Sequence, residues 1–93
     1  MTIDDLRKKI DKIDSNILEL LKNRASLTME IGKIKILNNL PVFNQERELK
    51  ILQQIQLKNK SPLGNEAIKN IFKVIIYECR NLQTLNRINK SED

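Results

Sequence analysis

The sequence predicts an all-α fold with three helices per chain, a very long first helix and an intertwined antiparallel helical homodimer. Apolar residues recur at intervals of three and four over the first third of the chain, which is the periodicity of an amphipathic helix. Only two glycines and two prolines are available for turns among 93 residues, which favours a few long helices. The first helical pattern is too long for one small domain, which indicates the dimer.

The first helix is predicted over residues 2–37. Thr2 is a suitable N-cap, Asp5 places a negative charge at the positive end of the helix dipole, and Pro41 follows the predicted end. Between these ends the spacings of three and four continue without a break, as at the a and d positions of a coiled coil, and Arg24 is the one charged member. We call this row the seam; its apolar members are Ile3, Leu6, Ile10, Ile13, Ile17, Leu20, Leu27, Ile31 and Ile34.

Two shorter helices are predicted to follow within the same single domain, residues 1–93. The second covers residues 44–59, with Asn44 as its N-cap. The third covers residues 64–86 and precedes a polar tail at residues 87–93. Their predicted buried side chains are Ile51, Leu52 and Ile55 on the second helix, and Ile68, Ile71, Phe72, Ile75, Ile76 and Cys79 on the third.

The length of the first helix indicates how the chain assembles. Roughly 35 residues at ~1.5 Å each make a rod of about 50 Å, whereas a compact globule of this size is about 30 Å across. Two shorter helices cannot cover the projecting seam, and a second copy related by a twofold axis is the commonest cover. The alternative is a kink near Arg24 that folds the rod into a hairpin. No Pro or Gly lies between residues 2 and 31 to support such a kink.

The composition limits the classes of partner. The chain carries 17 Lys and Arg against 12 Asp and Glu, a formal net charge of +5, and a basic balance favours an anionic partner. We expect no nucleic acid, because the basic residues are dispersed and only Phe43, Phe72 and Tyr77 could stack on bases. A solvated lysine-rich surface explains most of the charge. We also expect no membrane, because the sequence contains no apolar run of spanning length and no signal peptide.

The residue types limit the chemistry as well. Cys79 is the only cysteine, which fits a reducing cytoplasm. The sequence contains no histidine, so Ser-His and Cys-His nucleophile pairs and histidine-based zinc sites are excluded. A glycine-rich phosphate loop is also missing. If the chain is an enzyme, we expect it to need no metal and no cofactor.

Arg24 is the first candidate for a functional residue. A guanidinium within an Ile/Leu seam is unfavourable unless an anion meets it. That anion is either a glutamate of the same helix, Glu19 or Glu30, or a ligand. Lys35 favours a ligand, because it points within about 20° of Arg24 and lies ~16 Å further along the helix. Two long side chains at this separation leave room for a small anion between them.

The start of the second helix and the end of the third supply further candidates. The second helix begins Asn44-Gln45-Glu46-Arg47-Glu48, so free backbone N–H groups and the forked donor of Arg47 lie at its positive end. Glu48 is either a counter-ion for these cations or an acceptor for a substrate hydroxyl. Gln83 continues the apolar stripe of the third helix. It is either a satisfied core amide or a hydrogen-bond donor aimed into a cavity.

Several segments, taken in order and spacing, match one known family. They are Leu6-Arg7-Lys8-Lys9-Ile10-Asp11, Ile13-Asp14, Leu20-Leu21-Lys22-Asn23-Arg24, Ile31-Gly32-Lys33-Ile34-Lys35, Pro41-Val42, Glu46-Arg47-Glu48, Ile71-Phe72, Ile75-Ile76 and Gln83. On these residues, which extend over nearly the whole chain, the sequence resembles the all-helical chorismate mutases of the small monofunctional type. The resemblance implies a cytoplasmic homodimer that rearranges chorismate to prephenate in aromatic amino-acid biosynthesis.

The resemblance also implies a role for each candidate. Arg24 binds one carboxylate of chorismate, and Arg7, supplied by the partner subunit, binds the other. Lys35 and Gln83 donate hydrogen bonds to the ether oxygen of the breaking C–O bond. Glu48 accepts a hydrogen bond from the ring hydroxyl.

Three further positions are implied as substrate-binding residues. Arg47 lies close to the ring hydroxyl, and the backbone near Asn44 assists Glu48. Asn44 and Cys79 depart from the family pattern, in which an aspartate and a serine are frequent at these positions. Because both residues are implied only as supporting contacts, these departures put details of substrate binding in doubt but not the reaction.

Helix geometry agrees with a site shared between subunits. Arg7 lies ~42 Å from Lys35 along one helix, so a single chain cannot bring both to one ligand. If two first helices pair antiparallel about a midpoint near residue 19, Arg7 of one faces roughly residue 32 of the other. The absence of histidine also agrees with the implied reaction, because a unimolecular rearrangement transfers no proton.

Two alternatives stay open at this point. A pyruvate lyase acting on isochorismate shares the fold and the basic residues, but the resemblance implies an apolar residue in lyases where this chain has Glu48. A non-catalytic helical dimer, either regulatory or binding, would share the fold as well. Such a dimer would not need the full set of Arg7, Arg24, Lys35, Arg47, Glu48 and Gln83.

Overall fold

The computed structural model of the protein consists of three α-helices joined by short connections. They are α1 (Ile3–Leu37), α2 (Gln45–Lys58) and α3 (Asn65–Glu92). The structure describes the backbone of residues 1–92 and the side chains of residues 1–85. Because no strand occurs in that backbone, the prediction of an all-α fold of three helices is confirmed. None of the described helices is both long and apolar enough to cross a membrane.

The first turn of α1 is fixed by a reciprocal pair of hydrogen bonds. The Asp5 backbone N–H donates to the Thr2 hydroxyl at 3.1 Å, and the Thr2 backbone N–H donates to the Asp5 carboxylate at 3.0 Å. Thr2 is therefore the predicted N-cap, within a capping box. The bond from the Thr2 backbone lowers the pKa of Asp5 below its usual range, and the bond with the Thr2 hydroxyl acts in the same direction.

The last turn of α1 ends at a pair of asparagines. The Ile34 carbonyl accepts both from the Asn38 backbone N–H at 3.1 Å and from the Asn38 side-chain amide at 2.9 Å. Asn39 has a φ of 54°, in the left-handed region that asparagine tolerates better than most residues. The positive φ of Asn39 ends the right-handed helical conformation before Pro41.

Between these ends α1 is continuous. Its 35 residues pass Arg24 without interruption, so the alternative of a hairpin kinked at Arg24 is wrong. The molecule measures 55 × 28 × 14 Å and has a radius of gyration of 16.7 Å, well above the ~12 Å of a compact domain of this length. Every residue from 1 to 20 is exposed, including the seam residues Ile10 and Ile13, which are 54% and 56% exposed.

The packed part of the molecule lies at the other end of α1. There α3 lies between the two other helices and contacts both. The buried side chains are few: Leu52, Ile76, Cys79, Thr28 and Gln83. A core this small leaves much of the apolar surface of the described chain uncovered.

One predicted helix end is wrong. The third helix was expected to stop near residue 86, before a polar tail at residues 87–93, but α3 continues to Glu92. No Gly or Pro follows Leu85, and Lys, Arg and Glu are good helix formers, so a polar composition alone does not end a helix. Asp93 lies outside the described residues. The other predicted ends fall within one residue of those observed.

Candidate active site

A cavity of about 450 Å³ opens where the second half of α1, the start of α2 and the middle of α3 meet. This volume lies within the range of roughly 300–1,000 Å³ that is typical of small-molecule sites. Apolar side chains form much of its wall: Leu27, Ile31, Val42, Ile51 and Ile76. Seven of the eight residues predicted for the site also line it: Arg24, Lys35, Asn44, Arg47, Glu48, Cys79 and Gln83.

The charged groups of the cavity are mostly cationic. Among the described residues, four cationic side chains line it, Arg24, Lys35, Arg47 and Arg80, against the one carboxylate of Glu48, which gives a formal net charge of +3. Low-dielectric walls with charges of one sign concentrate the field in a cleft. The arrangement therefore suits a small anion that carries more than one negative charge.

Arg24 is half-buried, and its guanidinium is not paired with either glutamate that was considered for it. Glu19 lies 3.9 Å from Lys22 Nζ, and Glu30 lies 3.4 Å from Lys33 Nζ. No ion pair joins Arg24 to any described side chain. The alternative of an Arg24–glutamate pair within α1 is therefore wrong, and the guanidinium is available to a ligand that enters the cavity.

Lys35 connects the end of α1 to the segment that leads into α2. Its Nζ donates a hydrogen bond to the Val42 carbonyl at 2.8 Å. Lys35 also lines the cavity, and its ammonium carries three donors in all. The bond also fixes where the long side chain ends, which reduces the entropy lost when a ligand binds.

Asn44 is the N-cap of α2, as predicted. Its Oδ1 accepts from the Arg47 backbone N–H at 3.0 Å. An aspartate at this position would cap the helix equally well but would add a second negative charge to the cavity wall. Asparagine therefore keeps the cap and preserves the positive balance of the site.

Glu48 pairs with a cation that the sequence analysis missed. Arg80 Nη1 lies 2.8 Å from Oε1 and 2.9 Å from Oε2 of Glu48, and the two side chains are 25% and 23% exposed. Arg80 follows Cys79 on α3 and precedes Gln83 by three residues, a spacing that places Arg80 and Gln83 on one helix face. That spacing was the feature of the sequence from which Arg80 could have been identified as a site residue. The partner, 32 residues away in the sequence, was not evident.

Two aromatic rings also contact Arg80. Its guanidinium carbon lies 4.8 Å from the centre of the Phe43 ring and 5.5 Å from the centre of the Tyr77 ring. Both distances fall within cation–π range. The Arg80 guanidinium is therefore restrained by three side chains on three segments: Phe43 on the α1–α2 connection, Glu48 on α2 and Tyr77 on α3.

Gln83 lies in the wall at the closest approach of α1 and α3. It is only 7% exposed, and its Oε1 is buried without a hydrogen-bond partner, so the alternative of a satisfied core amide does not hold. An unsatisfied buried polar atom costs roughly 1–3 kcal/mol. The approach depends on Gly32, because a Cβ at that position would lie 3.0 Å from Gln83 Cγ. Cys79, one turn earlier on α3, is a buried free thiol.

Arg7 is the one predicted site residue that does not line the cavity. It lies on the exposed part of α1, where its Nη1 is 3.8 Å from Asp4 Oδ1. Seventeen residues separate it from Arg24, which corresponds to ~25 Å along the helix. A single chain therefore does not bring Arg7 to the other candidates. In the described part of the chain, no cluster of His, Cys, Asp and Glu is suited to a metal ion.

Comparison with known proteins supports one family. The model of the family "Chorismate mutase type II" matches residues 6–84. A bifunctional chorismate mutase/prephenate dehydratase of Aquifex aeolicus is 43% identical over 83 residues, which are 85% of this chain and 23% of that protein. The chain thus spans about a quarter of the length of the curated relatives it matches.

Two solved structures share the fold. A chorismate mutase of Thermus thermophilus superposes with a TM-score of 0.87 at 33% identity, over 88% of this chain and 93% of that one. A chorismate mutase of Helicobacter pylori, solved in complex with prephenate, superposes with a TM-score of 0.81 at 24% identity, over 88% and 89%. With a family model that matches most of its length, the chain belongs to the chorismate mutase type II family.

Proposed function

We propose that the chain is an isomerase that rearranges chorismate to prephenate in aromatic amino-acid biosynthesis. The observation that carries the proposal is the convergence of Arg24, Lys35, Arg47, Glu48 and Gln83 on one cavity of net positive charge. Chorismate is a small dianion, which matches that charge. Relatives of more than 40% identity are named for the same reaction.

The chemistry needs positioning and charge stabilisation. The reaction is unimolecular: the ether C–O bond breaks, a new C–C bond forms between the side chain and the ring, and no proton is transferred. Holding the extended side chain over the ring removes much of the entropic part of the barrier. As the C–O bond lengthens, negative charge grows on its oxygen. Donors already in place stabilise that charge more than water does, because they need no reorganisation.

Lys35 and Gln83 are the proposed donors to the ether oxygen. Lys35 Nζ is held by the Val42 carbonyl, and the Gln83 amide is held by close packing at Gly32. In this role each donor contributes about 10²–10³ in rate, the typical effect of removing one such group. Arg24 binds one carboxylate with the parallel donors of its guanidinium. Glu48 accepts from the ring hydroxyl, with Arg47 and the backbone near Asn44 close by.

The proposed active unit is an intertwined antiparallel homodimer. Its support is the row of seam residues exposed along α1, since full burial of one Ile or Leu side chain stabilises by roughly 1.5–3 kcal/mol. Further support comes from Arg7, which lies outside the cavity of its own chain. Antiparallel pairing about residue 19 brings Arg7 of the partner between Arg24 and Lys35, where it binds the second carboxylate. We expect the dimer to act in the cytoplasm, where the Cys79 thiol stays reduced.

Product identification tests the proposed function. The purified chain is incubated with chorismate, and loss of chorismate absorbance is followed while the product is identified by NMR. We expect prephenate, and we expect Arg24→Ala to form it far more slowly. The same chain incubated with isochorismate should release no pyruvate. Pyruvate release without prephenate formation would indicate the lyase, and inactivity toward both substrates would indicate a non-catalytic dimer.

A further inference from the structure

Arg80 is the pocket cation whose contacts the proposed reaction does not yet explain. One nitrogen, Nη1, contacts both carboxylate oxygens of Glu48 at 2.8 and 2.9 Å. The rings of Phe43 and Tyr77 lie 4.8 and 5.5 Å from the guanidinium carbon. Both Arg80 and Glu48 line the cavity, and both are about three-quarters buried.

These contacts restrict the carboxylate. A glutamate side chain has three rotatable bonds, and free rotation would spread its oxygens over many positions. Arg80 Nη1 contacts both oxygens, and its guanidinium is itself restrained by two rings, so the position of the carboxylate is restrained relative to α3. Each oxygen keeps a second acceptor position. A hydroxyl in the cavity can therefore donate to Glu48 while Arg80 stays bound.

Arg80 also balances the charge of Glu48. A lone carboxylate in the cavity would repel a dianionic substrate and attract Arg24 or Lys35 away from it. The charge-assisted bonds to Arg80 satisfy Glu48 locally. Arg24, which makes no ion pair with Glu48, can then bind the substrate.

We propose that Arg80 is a positioning residue that orients Glu48 to accept the hydrogen bond from the ring hydroxyl of chorismate. The inference rests on the proposed function, because it assumes chorismate in the cavity. It differs from two simpler roles. If Arg80 only joined α2 to α3, its loss would affect every substrate through stability, and if it bound a carboxylate directly, its loss would affect every substrate that carries one.

The test compares chorismate with an analogue in which hydrogen replaces the ring hydroxyl. Arg80→Met keeps the length of the side chain and removes the donors. We expect kcat/KM for chorismate to fall roughly ten- to hundredfold, the scale of a misplaced catalytic contact, while kcat/KM for the analogue changes less than about twofold. In a Glu48→Gln background, Arg80→Met should have little further effect, because both substitutions remove the same contact. Lys73→Met, an exposed cation outside the cavity on the same helix, is the matched control and should leave both substrates unaffected.

The outcomes distinguish the positioning role of Arg80 from the proposed function of the chain. Equal losses for chorismate and the analogue would overturn the positioning role, and so would an unchanged kcat/KM for chorismate. Wild-type protein that leaves chorismate unreacted would overturn both this role and the proposed function. If Arg80→Met does not fold, judged by circular dichroism, Arg80→Lys supplies the same comparison. That variant keeps the charge, and we expect kcat/KM to fall for chorismate, by less than tenfold, and to stay unchanged for the analogue.

Discussion

Gly32 of α1 lies directly against Gln83 of α3. A Cβ at residue 32 would lie 3.0 Å from Gln83 Cγ, closer than ordinary van der Waals contact, and 3.4 Å from Gln83 Cβ. The amide proposed to act on the ether oxygen therefore takes its position from the absence of a side chain at Gly32. The α1 backbone and the position of Gln83 are therefore coupled at this contact.

Gly32→Ala should lower activity with little net change in stability. With the added methyl 3.0 Å from its Cγ, Gln83 must shift by a few tenths of an ångström. Because a misplacement of about 1 Å in a catalytic group can cost ~10²-fold, we expect kcat to fall by up to roughly tenfold. Overpacking costs about 1–3 kcal/mol, and the higher helix propensity of alanine offsets about 1 kcal/mol of it. Steady-state kinetics and thermal unfolding measure the two effects. Gly64→Ala is the matched control, because nothing lies within 4 Å of a Cβ there, and equal activities of the two variants would contradict this coupling.

Gln83→Glu should make activity depend on pH. The amide of the wild type donates at any ordinary pH, and the sequence contains no histidine, so wild-type activity should be nearly flat between about pH 6 and 8. The new carboxyl donates only when it is protonated, and its ionised form repels the negative charge on the ether oxygen. We expect a loss of about 10²–10³ in kcat at neutral pH that is recovered on acidification. A pH profile of kcat measures this, and wild-type turnover at pH 7.5 would exclude Gln83 as a donor.

The capping box at Thr2 and Asp5 should stabilise the start of α1 in a pH-dependent way. Because the pKa of Asp5 is lowered in the folded chain, its contribution is fully present above the unfolded value near 3.8 and is lost as pH falls through the folded value. Asp5→Asn should therefore be less stable than the wild type at neutral pH and equal to it in strong acid. Chemical unfolding at pH 7 and at successively lower pH gives the comparison. A difference that persists unchanged in acid would mean that another group is responsible.

The chain should be an obligate dimer. Residues 1–20 are all exposed in the single chain, and the seam side chains are among them. A monomer would leave this apolar row in water, which is unfavourable because burial of each Ile or Leu side chain stabilises by roughly 1.5–3 kcal/mol. Sedimentation equilibrium at micromolar concentration should give twice the mass of the chain, and a folded monomer under these conditions would contradict the expectation. Ile10→Asp with Ile13→Asp should dissociate or unfold the protein, whereas Lys12→Asp, on the opposite face, should do neither.

What could be predicted from the sequence depended on how local the interactions are. The helix pattern of α1 and the Thr2 and Asn44 caps follow from residues a few positions apart. Arg24 and Lys35 were related by helix periodicity, whereas the roles of Glu48 and Gln83 came from the family resemblance. The Arg80–Glu48 pair joins residues 32 positions apart, which no spacing rule specifies. The end of α3 was placed too early, because polar residues without Gly or Pro were taken as a tail.

Arg7 illustrates a different limit. Its exposure and its weak ion pair with Asp4 are typical of an ordinary surface residue. Its proposed role appears only when a second chain is considered, so neither its local sequence nor its own chain's fold reveals it. The resemblance to the family supplied that expectation, and helix length made it geometrically consistent.

The central claim is that two chains build one chorismate site, with Arg24 from one and Arg7 from the other. The most direct measurement mixes Arg7→Ala chains with Arg24→Ala chains under conditions of subunit exchange and follows the loss of chorismate. Each variant alone should be nearly inactive. With random pairing, half of the dimers are mixed and each has one intact site, so the mixture should recover about a quarter of wild-type activity. No recovery, with mixed dimers shown to form by native mass spectrometry, would contradict the account.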